Sequence, residues 1–226
     1  MPSLSSIKQT AKKAASKAMN SLPRTPPSPQ ALCPVAGAAF GPLGLGALVA
    51  GAAAVYGAKK LLAKVTPKTE TYAKGVKIKG SPAFIKDTKA SLDRLKATPT
   101  GKSLLTSLGN TGKTTTITEF GKNNGTCRPL SPADAVRTAS GKAGKGSDSI
   151  VQFNPKFKPG GLPNEVVLGH ELIHAQHNAT GTRETGLTKG VKNEELRTSG
   201  LPPYPSTGLT ENALRKDLKQ PKRTKY

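Results

Sequence analysis

The sequence lacks the residues that usually supply a disulfide framework or a large aromatic core. It has no Trp, only 4 Tyr and 5 Phe, and only two cysteines, Cys33 and Cys127. Neither cysteine belongs to a CxxC pair, and the two lie in stretches of very different composition. We therefore expect two free thiols in a reducing compartment.

Acidic residues are also scarce, and none precedes Glu70. The chain has 13 Asp and Glu residues against 35 Lys and Arg residues, which gives a formal net charge of +22. Such a balance is typical of proteins that meet a nucleic acid, a membrane surface or an acidic protein. The charge is spread as single lysines without interleaved aromatics, so we expect solubility and non-specific attraction rather than recognition of a specific nucleic acid.

The first 66 residues have the composition of a tail. Residues 1–20 are rich in Ser, Ala and Lys but lack the apolar core of a secretory signal peptide. Residues 22–29 are Pro-rich and indicate an extended linker. Residues 35–58 carry no charge and are long enough to cross a bilayer, yet their Gly and Ala content makes the free energy of insertion marginal. We expect a disordered or weakly structured tail, open to a secretion chaperone, with membrane association through 35–58 as the alternative.

From residue 67 onward the composition becomes that of a soluble domain with mixed charge. Residues 91–96 and 103–108 have helical spacing between turn signals. The β-branched stretch 114–120 and the stretch 149–154 predict strands. We predict a compact α+β domain over residues 67–226.

A metal-binding helix is predicted at residues 167–177, where His170, Glu171 and His174 form a His-Glu-x-x-His pattern. Residues four apart lie on one face of a helix, so both imidazoles can reach a single ion. Zinc accepts neutral imidazole nitrogen and, in catalytic sites, takes three protein ligands plus a water. Glu171 would lie beside the metal, where its carboxylate can take a proton from the attacking water.

A third ligand is available about twenty residues downstream of the histidines. Glu194 and Glu195 open a second predicted helix, and either carboxylate could reach the metal. Only one of them can face it, because adjacent helical residues diverge by about 100°. The other is then free to orient a histidine or to pair with Arg197.

Taken together, these motifs resemble two known families of zinc peptidases. His-Glu-Leu-Ile-His-Ala-x-His followed by Glu-Glu-Leu-Arg-Thr-x-Gly is similar to the zinc endopeptidase light chains of clostridial neurotoxins. In size, in its acid-free N-terminus and in the stretch from 153–155 to 210–212, the chain resembles NleD-type effectors more closely. Those are short zinc metalloproteases that bacterial pathogens inject into host cells by type III secretion. The resemblance covers about residues 150–226.

The resemblance implies a role for each matching position. His170 and His174 would be zinc ligands, Glu171 the base that activates water, and Glu195 the third ligand. His177, three residues beyond His174, would face away from the ion or orient one of its ligands.

The light chains also use an Arg-x-x-Tyr pair to stabilise the oxyanion. Arg223 and Tyr226 fit that spacing here, with Tyr204 as the alternative tyrosine. A basic tail without a role in the site is the other interpretation of residues 223–226.

The resemblance also implies a fold and an activity. The fold would be zincin-like, with a small sheet packed on the zinc helix and a second helix that brings Glu195. The activity would be zinc-dependent cleavage of a host protein in the host cytoplasm after type III secretion. A mitogen-activated protein kinase is the expected substrate class, because NleD-type proteases cut the activation loops of these kinases. The alternatives are a non-enzymatic membrane-associated protein built around 35–58 and a basic protein that binds nucleic acid or an adaptor.

Overall fold

The computed structural model describes residues 66–226. The predictions for the tail, weak structure or, as the alternative, membrane association through 35–58, lie outside the described residues. Among the residues that are described, no helix has both the length and the apolar character needed to span a bilayer.

A five-stranded mixed sheet forms one layer of the domain. Its strands are β1 (Lys68–Ala73), β2 (Val76–Gly80), β3 (Thr115–Glu119), β4 (Thr126–Pro129) and β5 (Ser149–Phe153). Their spatial order is β1-β2-β3-β5-β4. The three central strands are parallel, and β1 and β4 join them as antiparallel edges. Because side chains alternate along a strand, Ile78, Ile117 and Val151 all point into the core and are fully buried.

Six helices complete the described part of the chain, together with a short hairpin. They are α1 (Pro82–Lys96), α2 (Pro99–Asn110), α3 (Pro132–Ala135), α4 (Asn164–Ala179), α5 (Asn193–Ser199) and α6 (Glu211–Asp217). The hairpin is formed by β6 (Leu187–Thr188) and β7 (Val191–Lys192), and Pro159–Gly161 forms a 3-10 turn. Two of the helices begin with the same signal, because Ser81 before α1 and Thr98 before α2 each accept a backbone N–H and precede a proline.

Helix α4 lies in the centre of the domain and carries the His-Glu-x-x-His residues. It packs against β4 and β5 on one side and against α1 and α2 on the other. Leu168, Leu172 and Ile173 on this helix are fully buried. The helix ends with Thr180 as C-cap and Gly181 in the left-handed conformation, φ 66°, which glycine adopts without strain.

The predicted α+β class is confirmed. The predicted strands 114–120 and 149–154 correspond to β3 and β5, and the predicted helices 91–96 and 103–108 are parts of α1 and α2. Strands β1, β2 and β4 were not predicted. The edge strand β4 is only four residues long and ends in Pro129, so its local sequence carries little strand signal.

Candidate metal centre

Three electron-rich atoms from two helices converge on one point at the surface of α4. His170 Nε2 and His174 Nε2 lie 3.1 Å apart. Glu195 Oε2, from α5, lies 3.2 Å from the first nitrogen and 3.1 Å from the second. The two histidine rings meet edge to face at a centroid distance of 4.7 Å.

The dimensions and chemistry of this triangle fit a zinc ion. Tetrahedral zinc with bonds of about 2.0–2.1 Å separates its ligands by about 3.3–3.4 Å. The observed separations of 3.1 to 3.2 Å come close to that spacing, and the three atoms already occupy one face of a tetrahedron. Two imidazole nitrogens and a carboxylate oxygen are ligand types that zinc accepts. His170, His174 and Glu195 are therefore the residues that could hold the metal.

Both histidines are held in the tautomer that a metal requires. His170 Nδ1 lies 2.8 Å from Glu211 Oε2, and His174 Nδ1 lies 2.8 Å from Glu194 Oε1. An ionised carboxylate can only accept, so each Nδ1 carries the proton and donates it. In the neutral imidazole that zinc accepts, the lone pair then belongs to Nε2, the atom that faces the shared point.

Glu194 holds several groups in place behind the metal ligands. Its Oε1 also accepts from His177 Nδ1 at 2.9 Å and from Thr198 Oγ1 at 3.4 Å, and its Oε2 accepts the Glu184 backbone N–H at 2.9 Å. Burial would raise the pKa of Glu194, but the hydrogen bonds from the histidines hold it well below its usual range. Glu194 is thus a buried, ionised anchor, and His177 binds this anchor rather than facing the metal point.

Glu211 plays the matching part for His170. Its Oε1 accepts from Arg215 Nε at 2.5 Å and from Arg223 Nε at 3.0 Å, while its Oε2 faces the histidine. Burial opposes ionisation, but these partners, with the His170 hydrogen bond foremost, lower the pKa of Glu211 to about 2. Helix α6 can bring Glu211 this close because Gly169 of α4 has no side chain. A Cβ at Gly169 would lie only 2.3 Å from Leu214 Cδ1 and would push α6 away.

The pKa of His170 shows how strongly the acids surround the histidines. Burial by itself would lower the pKa of His170, but hydrogen bonds to Glu195 and Glu211 outweigh it and raise it to about 9. The same carboxylates, ionised and fixed, attract any cation placed between the imidazoles. Positive charge is therefore favoured at this point.

Glu171 differs from the other acids of the site. It is buried, with 7% of its surface exposed, and burial raises its pKa. Its side chain lies directly against the backbone of Gly125, where a Cβ would be 2.7 Å from Glu171 Cγ and 2.9 Å from Oε1. Val167 Cγ1 would lie 3.0 Å from the same Cβ, so Gly125 closes one wall around the Glu171 carboxylate.

The C-terminal Arg-x-x-Tyr pair reaches the site. The Tyr226 hydroxyl donates to Glu195 Oε2 at 2.7 Å, and the Arg223 guanidinium lies 5.2 Å from the centre of the Tyr226 ring. The backbone of Arg223 exchanges two hydrogen bonds with the Asn212 side chain, 2.8 and 3.1 Å long, which fixes this segment to α6. Tyr204, the alternative tyrosine, lines a separate hollow with His177 and Arg197.

These groups line one cleft with a volume of about 500 Å³. The loop 123–125 and Cys127 of β4 form one wall of the cleft, and residues from α5, α6 and the C-terminal segment form another. The Cys127 thiol is partly buried, and burial raises its pKa. A cleft that combines a histidine pair, a buried carboxylate and a tyrosine hydroxyl has the groups needed to hold a metal and to move a proton.

The structure brings the residues that the sequence assigned to the site into one cleft and adds two that were not assigned to it. Glu195, Arg223 and Tyr226 all lie at the site, as the motif spacing implies. Neither Glu211 nor Gly125 was assigned a role. The only sequence signal for Glu211 is its place in the stretch 210–212, which carries the resemblance to NleD-type effectors, and Gly125 gave only a turn signal.

Comparison with known proteins identifies the class of the chain. Residues 72–226 match the Peptidase_M91 family, whose description is "Effector protein". This match covers more than half of the chain, and the chain therefore belongs to that family of effector peptidases. The predicted kinship with short effector peptidases is thereby confirmed.

Two solved structures show a more distant likeness. The catalytic domain of Clostridium botulinum neurotoxin serotype F has 19% sequence identity and a TM-score of 0.40, over 51% of this chain and 41% of that chain. The light chain of the Clostridium botulinum serotype F neurotoxin has 18% identity and a TM-score of 0.38, over 51% of this chain and 43% of that chain. The matched region spans about two fifths of those neurotoxin chains. No curated protein sequence matches the chain.

Proposed function

We propose that this chain is a zinc-dependent endopeptidase that hydrolyses a host protein. The observation that carries the proposal is the triangle of His170 Nε2, His174 Nε2 and Glu195 Oε2, with sides of 3.1 to 3.2 Å, in one cleft with the buried Glu171. Membership of a family of effector peptidases supports the same activity.

In this proposal the ligand residues and the base have separate tasks. Zinc held by His170, His174 and Glu195 supplies Lewis acidity at the scissile carbonyl. The Glu171 carboxylate takes a proton from the attacking water and returns it to the nitrogen of the leaving amine. The pKa directions support this division. Burial raises the pKa of Glu171, whereas at Glu195 the interactions with the two histidines outweigh burial and hold the pKa well below its usual range.

Arg223 and Tyr226 are the proposed donors to the oxyanion that forms on the carbonyl oxygen. The Tyr226 hydroxyl already lies 2.7 Å from Glu195 Oε2, next to the proposed metal position. Arg223 adds positive charge beside the Tyr226 ring while its Nε is held by Glu211. Donors fixed before the reaction stabilise developing charge without reorganisation.

The place of action is proposed from family kinship. The family is one of effector proteins, and we propose type III secretion into the host cytoplasm as the route. The proposed substrate is a host signalling protein, with mitogen-activated protein kinases as the first class to assay. For residues 1–66, binding of a secretion chaperone remains a proposal, with membrane contact through 35–58 as the alternative.

The test measures zinc content and cleavage on the same protein samples. Wild-type protein should bind zinc stoichiometrically and cleave a kinase substrate, with chelation abolishing cleavage and added zinc restoring it. Glu171→Ala should keep zinc and lose cleavage, because it removes only the proton acceptor, whereas His174→Ala should lose both. Full cleavage by Glu171→Ala, or a wild type that binds no zinc, contradicts the proposal.

A further inference from the structure

The cleft has two chemically different ends. At the N-terminal end of α4 its lining is apolar, with side chains from that helix and from the segment before it: Phe157, Pro159, Leu162, Val166 and Val167. At the other end its lining includes Arg183 and Lys192. Arg183 Nη1 donates to Asn178 Oδ1 at 3.1 Å, which places this arginine at the last turn of α4. Lys192 belongs there too, because it immediately precedes α5, whose Glu194 binds His174 and His177.

The cations at this end lack acidic partners, unlike the other arginines of the cleft. Arg215 and Arg223 both bind Glu211. Within the part of the chain that the structure describes, no carboxylate lies within ion-pair distance of Arg183 or Lys192. Arg183 is half-buried and uses a single N–H toward Asn178, so most of its donors remain available.

We propose that Arg183 and Lys192 form a subsite for an acidic side chain of the substrate. The inference rests on the proposed peptidase function and adds its specificity. A guanidinium fork recognises a carboxylate through paired hydrogen bonds, and the ammonium of Lys192, which lines the same cleft, adds charge. The acidic side chain lies on one side of the scissile bond, and the apolar end of the cleft receives the residues on the other side. About 18 Å of α4 separates Val166 from Asn178 at a rise of about 1.5 Å per residue, enough for several substrate residues.

A surface as basic as this one attracts acidic peptides even without a subsite. General attraction and a subsite can be distinguished by the position in the peptide at which an acidic residue is favoured. General attraction favours an acid at every position of a peptide. A subsite favours an acid at one position only. The experiment must therefore move a single acidic residue along the substrate.

The test uses zinc-loaded full-length protein and peptides. A digest-derived peptide library, with products identified by mass spectrometry, first locates cleavable bonds. One cleaved peptide is then made with Glu, Gln or Lys at each position in turn. We expect Glu at one position to raise kcat/KM over Gln by about tenfold, a factor typical of a hydrogen bond to a charged group.

Variants assign the preference to the two residues. Arg183→Gln should bring the Glu-to-Gln ratio of kcat/KM close to one, and Lys192→Gln should lower it in part. The double charge reversal Arg183→Glu with Lys192→Glu should favour Lys at the same position. Lys79→Gln is the matched control, because Lys79 is exposed on β2, outside the cleft lining, and its loss changes net charge equally.

A binding measurement separates recognition from chemistry. Glu171→Gln protein should bind the fluorescent Glu peptide about tenfold more tightly than the Gln peptide, and adding Arg183→Gln should remove the difference. Cleavage without a preferred acidic position, or a preference that survives Arg183→Gln, overturns the subsite and leaves the peptidase standing. Zinc-loaded protein that cleaves no peptide and no kinase overturns the proposed function and this inference with it.

Discussion

The two sides of the metal site are built in different ways. His170, Glu171 and His174 lie within five residues of one buried sixteen-residue helix. The groups that face or hold them, Glu195 and Glu211 among them, come from two helices of only seven residues each. Regular geometry fixes the first side, whereas specific long-range contacts fix the second. The backbone positions of the helix side should therefore depend on the helix alone, whereas the orientation of its side chains and the whole opposite side should be sensitive to changes at several distant points.

Glu195→Gln should produce the largest effect of the changes on the opposite side. It removes the charge of the only carboxylate oxygen within residues 66–226 that faces both Nε2 atoms. Loss of a carboxylate that only orients a ligand lowers metal affinity by about 10–100-fold. Loss of a ligand should lower zinc affinity by more than that, and cleavage should be lost with it. Isothermal titration with zinc measures the affinity. Glu194→Gln is the matched control one residue away, and a larger loss in that variant would reverse the assignment of the third ligand.

Gly125→Ala tests whether the position of the Glu171 carboxylate depends on the wall beside it as well as on the helix that carries Glu171. The new Cβ would lie 2.7 Å from Glu171 Cγ, so the carboxylate must move. A displacement of about 1 Å in a catalytic group costs about hundredfold in rate. We therefore expect kcat to fall about that much while zinc content stays stoichiometric.

The control for this change lies in the same loop. Gly121→Ala meets no atom within 4 Å of its added carbon and should retain wild-type kcat and thermal stability. Equal kinetics in the two alanine variants would show that the position of Glu171 does not depend on Gly125.

Glu211→Gln should weaken zinc binding by about 10–100-fold, because His170 loses the ionised acceptor that fixes its tautomer. The amide can still accept one hydrogen bond, so the fold of α6 should survive, as circular dichroism can verify. Unchanged zinc affinity in Glu211→Gln would mean that α4 alone orients His170. The opposite side would then contribute less to the metal site than its contacts indicate.

The motif on α4 could be predicted from sequence because its geometry is local. His170 and His174 meet whenever their segment is helical, and Gly181 in the adjacent sequence signals where that helix ends. The choice between Glu194 and Glu195 is less local, since the rotation of α5 about its axis depends on what it packs against. The resemblance favoured Glu195, and this is the carboxylate that the structure places against both Nε2 atoms.

The remaining parts of the site depend on contacts that no local pattern encodes. Thr210 signals a helix start, but nothing near it shows that Glu211 will meet His170, 41 residues earlier. That meeting requires Leu214 to pack into the space left by Gly169. The edge strand β4 was missed for the same reason, because its position is set by the sheet and by α4. The loop before it showed a turn signal, but nothing in that signal shows that Gly125 will lie against Glu171.

Tyr226→Phe should have the smallest effect of these changes and should separate catalysis from metal binding. The variant loses the hydroxyl that donates to Glu195 Oε2 at 2.7 Å. Zinc affinity should change little, because the three ligand residues remain. We expect kcat to fall about tenfold, less than for a buried oxyanion donor, because Tyr226 is 53% exposed. A loss of zinc affinity with unchanged kcat would instead make the hydroxyl a support for Glu195, and the C-terminal segment would then only hold the metal site in place.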